Sequence, residues 1–230
     1  MDMHTYVVRV WLPDRPGALG AVAGRIGAVR GDVVGIDILE SGAGRAVDEL
    51  VVQLPDPALV ELLVSEIEEV DGARVELVRP AAEAIHDPRL DALETASRIV
   101  GAGEPADVLE ALCVHGGRTL GASWAAVVEL GSGDLRATTG AVPAPGWLAA
   151  FVAGSRAAAS AGSDPAAGGP DDVAWAPMPG SHLALVVGRG GTAFRARERR
   201  QVGALARIAD TRHRELVRLR SRLTHPSLGG

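Results

Sequence analysis

Within its first 80 residues the chain changes hydrophobic period in the order strand, helix, strand, strand, helix, strand, and few folds accept that order in so short a length. The stretch TYVVRVWL (5–12) is β-branched and aromatic with near alternation, and Pro13 ends it. Leu19, Val22, Ala23, Ile26 and Val29 then recur at three and four residues, which is one helical face. Pro16 suits its first turn, and Gly31 is expected to close it. DVVGIDILES (32–41) and RAVDELVVQL (45–54) flank GAG (42–44), a hairpin signal. Leu59, Leu63, Ile67 and Val70 space a second helix over 56–70, with Pro57 near its start, and ARVELVR (73–79) supplies a last strand. The expected result is a ferredoxin-like βαββαβ domain: four antiparallel strands with two helices on one face.

PAAEAIHDP (80–88) has the composition of a linker. The expected organisation is therefore a domain at 1–80, a linker at 81–89, a second domain at 90–223 and a tail at 224–230. In the second domain, helical spacing covers 90–101 and 106–121. WAAVVEL (124–130) and LRATTG (135–140) read as a hairpin across GSGD, and GWLAAFVAGSRAAASAG (146–162) as a helix. A loop at 163–172 precedes the strands VAWAPMP and SHLALVVGR and a long amphipathic helix from Gly191 to Leu223. The whole chain is thus α+β, its second half an antiparallel sheet bracketed by helices.

Composition narrows the chemistry. An apolar fraction of 47% with 23% charged residues is that of a globular protein, and aromatics at 3% require an aliphatic core. No charged leader precedes an apolar run and no stretch approaches about 18 uninterrupted apolar residues, so a cytoplasmic protein without a membrane span is expected. The single cysteine, Cys113, excludes an internal disulfide framework, and its place between Leu112 and Val114 predicts a buried structural thiol.

The histidines at 4, 86, 115, 182, 213 and 225 lack metal-ligand spacing, and neither Cys-x-x-Cys nor His-Glu-x-x-His occurs. VGRGGTAF lacks phosphate-loop spacing, and no Gly-x-Ser-x-Gly elbow is present. Ser155 and Ser181 each sit near a partner without forming a recognisable constellation. No metal, cofactor or enzymatic activity is expected.

Charge is uneven. Residues 191–230 hold ten arginines against three acids, on a body that is otherwise acidic. A stripe of Arg195, Arg199, Arg207, Arg214 and Arg218 would suit nucleic acid. Yet Val202, Leu205, Ile208, Leu216, Leu219 and Leu223 give the same helix an apolar face, and no aromatic follows Phe194. An amphipathic helix turned toward the acidic body or a second subunit is the favoured reading, and nucleic acid is not an expected partner.

The segment DRPGALG (14–20), between the first strand and first helix, resembles the corresponding turn of ACT domains, and the βαββαβ order agrees. A helix N-terminus offers unpaired N–H groups, so Gly17, Ala18 and Leu19 can receive a carboxylate, while Asp14 would cap the helix or receive an ammonium group. The ACT resemblance implies an amino-acid site between this turn, including Arg15, and the second strand of a paired domain, at Gly35, Ile36 and Asp37. Some ACT sites place Asn or His near the turn; this chain has no Asn and no His closer than His4.

More weakly, SHLALVVGRGGTAFRARERRQVGALARIA resembles the end of a GAF domain, a sensor and dimerisation module. That resemblance implies a cavity near Trp147, Phe151 and Trp175. Together these features predict a non-catalytic homodimeric sensor of an amino acid that signals to a protein partner. The alternatives are a ligand-free dimerisation scaffold and, third, a nucleic-acid-binding regulator.

Overall fold

The computed structural model describes residues 3–81, 88–162 and 169–224. Most of the expected linker and tail, and residues 163–168 of the expected loop, lie outside the described residues. The chain divides into two compact units, Met1–Asp87 with Arg195–Arg197, and Pro88–Phe194 with Glu198–Gly230.

The first unit contains β1 (His4–Pro13), α1 (Ala18–Ala28), β2 (Asp32–Gly42), β3 (Arg45–Leu54), α2 (Val60–Glu68) and β4 (Arg74–Pro80). Its strands are antiparallel in the order β2-β3-β1-β4, the ferredoxin-like arrangement. Alternation sends Val8, Val10 and Leu12 of β1, and Leu50, Val52 and Leu54 of β3, to one face. There they meet Val22, Ile26 and Val29 from the α1 side, and Leu63, Ile67 and Val70 from the α2 side. Each such side chain contributes about 1.5–3 kcal/mol when fully buried, so this aliphatic layer fixes the strand register.

Two turns refine the sequence reading. β2 and β3 join through Ala43 and Gly44, with φ of 53° and 77°, which is the type I′ geometry that follows the twist of paired strands. Helix α1 ends one residue earlier than its glycine suggests. Arg30 takes the left-handed conformation (φ 61°), its N–H donating to Gly27 O at 3.0 Å and that of Gly31 to Ile26 O at 3.0 Å, a Schellman closure. Gly31 answers to crowding instead: a Cβ there would stand 2.9 Å from Ile26 Cγ2 and 3.1 Å from Leu54 Cδ2.

The second unit contains α3 (Pro88–Gly101), α4 (Pro105–Ala111), a π-helical stretch (Leu112–Gly116), α5 (Gly117–Thr119), β5 (Trp124–Glu129), β6 (Leu135–Gly140), α6 (Pro145–Ser160), β7 (Val173–Met178), β8 (Leu183–Gly188) and α7 (Ala196–Thr224). The sheet order is β6-β5-β8-β7, antiparallel throughout. The uninterrupted apolar run of β8 is buried at all six positions because both faces are covered. On one face Ile99, Leu112, Val202, Leu205 and Ala209 pack on Ala125, Val127, Leu185 and Val187. On the other, Leu148 and Val152 of α6 pack on Ala126, Val128, Ala184 and Val186.

Helix α7 begins at Ala196, five residues later than its periodicity alone predicts. The carbonyls of Thr192 and Ala193 accept from Arg189 Nε and Nη2 at 3.0 and 2.7 Å, which holds the preceding segment as a loop.

Candidate functional site

The β1–α1 turn is tied to the β2–β3 hairpin. Asp14 N–H donates to Gly44 O at 3.0 Å, and Ser41 Oγ donates to Asp14 Oδ2 at 3.0 Å. Asp14 therefore does not cap the helix, and the cap position is held by Gly17 without a side-chain bond. Gly17 lies at φ 87°, where a Cβ would meet nothing within 4 Å; backbone conformation, not crowding, requires glycine here. Ala18 N–H turns back to Arg15 O at 3.3 Å, whereas the N–H groups of Gly17 and Leu19 find no backbone acceptor among the described residues. These two open amides stand at the positive end of an eleven-residue helix, where the helix dipole favours negative charge.

Strand β3 carries a buried acid that sequence reasoning missed. Asp48 of β3 stands opposite Val10 of β1 and Ile38 of β2, in the same strand phase as the inward-facing Leu50 and Val52. It is 4% exposed, and its Oδ1 has no hydrogen-bond partner among the described residues. Burial, and then the charge of Asp14, push its pKa above the ordinary carboxylate value. The signal was present in β3, where the inward phase Ala46, Asp48, Leu50, Val52, Leu54 carries one acid. A buried carboxylate beside a second one, with an oxygen left over, is stabilised by a cation that brings N–H donors.

The other expected site residues are placed apart from the turn within a single chain. Gly35 pairs with Val51, which pairs with Val7, seven residues back along β1 from Asp14 and so about 20 Å away. A Cβ on Gly35 would stand 3.1 Å from Val51 Cγ2, so its bareness serves strand packing. Ile36 pairs with Leu50 and Asp37 with Glu49. β2 is an edge strand, and Val34, Ile36 and Ile38 on it are 39%, 47% and 56% exposed.

In the second unit, Ser181 meets His213 of α7, Oγ to Nδ1 at 3.0 Å, and the neighbouring Asp210 Oδ2 accepts from Gly180 N–H at 2.9 Å. These bonds fasten the β7–β8 turn to α7. Burial lowers the His213 pKa, with Arg136 acting in the same direction and Asp210 against it. Cys113 is buried, and burial pushes its thiol up to about 12. Trp147, on α6 and 40% exposed, stacks on Phe151 (centroids 5.3 Å apart) and meets Trp124 edge-on at 6.5 Å; Phe151, Trp124 and Trp175 pack against the apolar cluster between α6 and the sheet.

Among the described residues, no group of three or more His, Cys, Asp or Glu is arranged to hold a metal ion, and no helix is long and apolar enough to cross a membrane.

No protein-family model matches the chain, nor does any curated protein. Among solved structures, the ACT domain from GTP pyrophosphokinase of Chlorobium tepidum is similar at 16% identity over 35% of this chain and 100% of its own, with a TM-score of 0.28. An ACT domain protein from Streptococcus pneumoniae is similar at 17% identity over 37% of this chain and 100% of its own, TM-score 0.30. An unknown protein from Galdieria sulphuraria is similar at 13% identity over 81% of this chain and 79% of its own, TM-score 0.33.

Proposed function

We propose that the protein is a non-catalytic regulator whose ACT-like first unit senses an amino acid at the β1–α1 turn. The observation that carries this reading is the buried Asp48, whose Oδ1 has no hydrogen-bond partner among the described residues and whose carboxyl feels the charge of Asp14 in the β1–α1 turn. A zwitterion satisfies this acid and the open amides of α1 alike. Its carboxylate takes the amides of Gly17 and Leu19, and its ammonium takes Asp48 with Asp14. The exposed apolar edge of β2 is the surface through which two first units pair, bringing Gly35, Ile36 and Asp37 of one copy toward the turn of the other. Binding favours one arrangement of the paired units, and the GAF-like second unit relays that change to a protein partner.

The test is a thermal-shift panel of the twenty amino acids, each run beside its deaminated carboxylic acid. The reading requires stabilisation by at least one amino acid, growing with ligand excess, absent with the deaminated acid and abolished by Gly17→Val. If a folded protein ignores the whole panel, the ligand-free scaffold replaces it.

A further inference from the structure

Helix α7 sorts its side chains more sharply than its sequence suggests. Val202, Leu205, Ala206, Ala209 and Leu216 are buried in the core of the second unit. The apolar face that argues against nucleic acid in the sequence is therefore already spent within the unit. At about 100° per residue, Arg207, Arg214, Arg218 and Arg222 fall within an arc of about 80° on the other side of the helix. Two members of the stripe expected from the sequence drop out. Arg195 precedes the helix, and Arg199 donates to the carbonyls of Phe194, Val173 and Asp171. Arg200 continues the line but is already engaged.

The four guanidinium groups are left over. None of them makes an ion pair or a side-chain hydrogen bond among the described residues, and the three acids of the helix are committed elsewhere. Glu198 pairs with Arg189, buried Asp210 accepts from Gly180 N–H, and Glu215 pairs with Arg212. Glycines make room for two of the four: a Cβ at Gly180 would stand 2.8 Å from Arg214 Nη1, and one at Gly203 3.4 Å from Arg207 Nη1. Arg214, Arg218 and Arg222 follow one another at four-residue steps, where like charges repel, so an external anion along this line stabilises the helix as well as binding it.

A regular, closely charged polyanion fits such a line. The helix rises about 22 Å from Arg207 to Arg222. A DNA strand presents one phosphate per about 3.4 Å of duplex axis, so each guanidinium has an acceptor within reach. No aromatic residue follows Phe194, which leaves the stripe without a platform on which a single strand could stack. Thr211 and Ser221, the hydroxyls beside it, donate to Arg207 O and Val217 O at 3.0 Å each and so are turned inward, away from any ribose 2′-hydroxyl. A membrane surface would instead call for free apolar side chains opposite the arginines, and there Leu205, Ala209 and Leu216 are buried.

We infer that the solvent face of α7 binds the phosphate backbone of duplex DNA, without reading its sequence, through Arg207, Arg214, Arg218 and Arg222. The surface lies within the second unit and does not depend on an amino acid at the β1–α1 turn.

The test is fluorescence anisotropy of a labelled DNA duplex titrated with the full chain at several salt concentrations. Four phosphate contacts give a slope of log K against log salt of about −3.6, so binding should weaken about 150-fold between about 50 and 200 mM salt. Arg214→Gln/Arg218→Gln should reduce the magnitude of that slope by about 2, and the variant with all four arginines changed to Gln should lose binding. The four positions lie outside the core, so circular dichroism should be unaltered. Arg25→Gln, an equal change of charge on α1, should bind as the parent does. Absence of binding at the lowest salt, a slope that the double variant leaves unaltered, or tighter capture by phosphatidylserine vesicles or polyglutamate than by the duplex would each overturn the proposal.

Discussion

Arg189, just past β8, and Glu198, in the first turn of α7, form a two-pronged ion pair, Nη1 to Oε1 and Nη2 to Oε2, both at 2.7 Å. The guanidinium also donates to the carbonyls of Leu120, Thr192 and Ala193 and stacks 4.0 Å from the centroid of Phe194. Both side chains are nearly buried, so the pair is satisfied as a unit and costly to halve. Arg189→Ala should destabilise the second unit by about 3–5 kcal/mol in denaturant titrations. Replacing both partners, as in Arg189→Met/Glu198→Leu, should recover only part of the loss, because three carbonyls remain without their donor.

Asp48 links stability to acidity. Its folded-state pKa is raised, so its charged form opposes folding at neutral pH. That cost falls away as pH drops through the folded value toward the ordinary 3.8. Asp48→Asn should therefore melt higher than the unliganded parent at pH 7, with the two curves converging in acid. The same change should weaken amino-acid binding by about 10- to 100-fold, the worth of one charge-assisted hydrogen bond. A variant that binds unchanged would remove Asp48 from the site.

Ala43 stands in left-handed backbone that glycine adopts without strain. Ala43→Gly should stabilise the first unit by about 1 kcal/mol, and Ala43→Val should cost more than that. Equilibrium unfolding followed by far-ultraviolet dichroism reads both.

His213 is held neutral by burial, its pKa below that of the free imidazole. The unfolded chain consequently binds the extra proton first. Stability contributed by this group is complete above the ordinary value of 6.5 and is lost as pH falls below it toward the folded value. His213→Gln should flatten the acid limb of the stability profile over that range.

The elements of the first unit follow from local pattern, since alternation and three-four spacing both arise from one buried face. What escapes local pattern is contact between distant residues. The start of α7 is set by Arg189 reaching forward to two carbonyls, and the role of Asp14 by Ser41, 27 residues away. Arg30 took the conformation expected of its glycine neighbour because Gly31 was already needed where Ile26 and Leu54 approach. Asp48 was open to sequence reasoning, an acid in an otherwise aliphatic strand phase. The meeting of Ser181 and His213, 32 residues apart, was not.

The scarcity of aromatic side chains leaves an optical consequence. Of the four tryptophans, Trp11 alone belongs to the first unit, on β1, while Trp124, Trp147 and Trp175 lie in the second, Trp147 edge-on to Trp124. Replacing those three by phenylalanine would leave a chain whose tryptophan emission comes from one indole on the strand that leads into Asp14. Such a protein would report on the turn by colour alone, without a label.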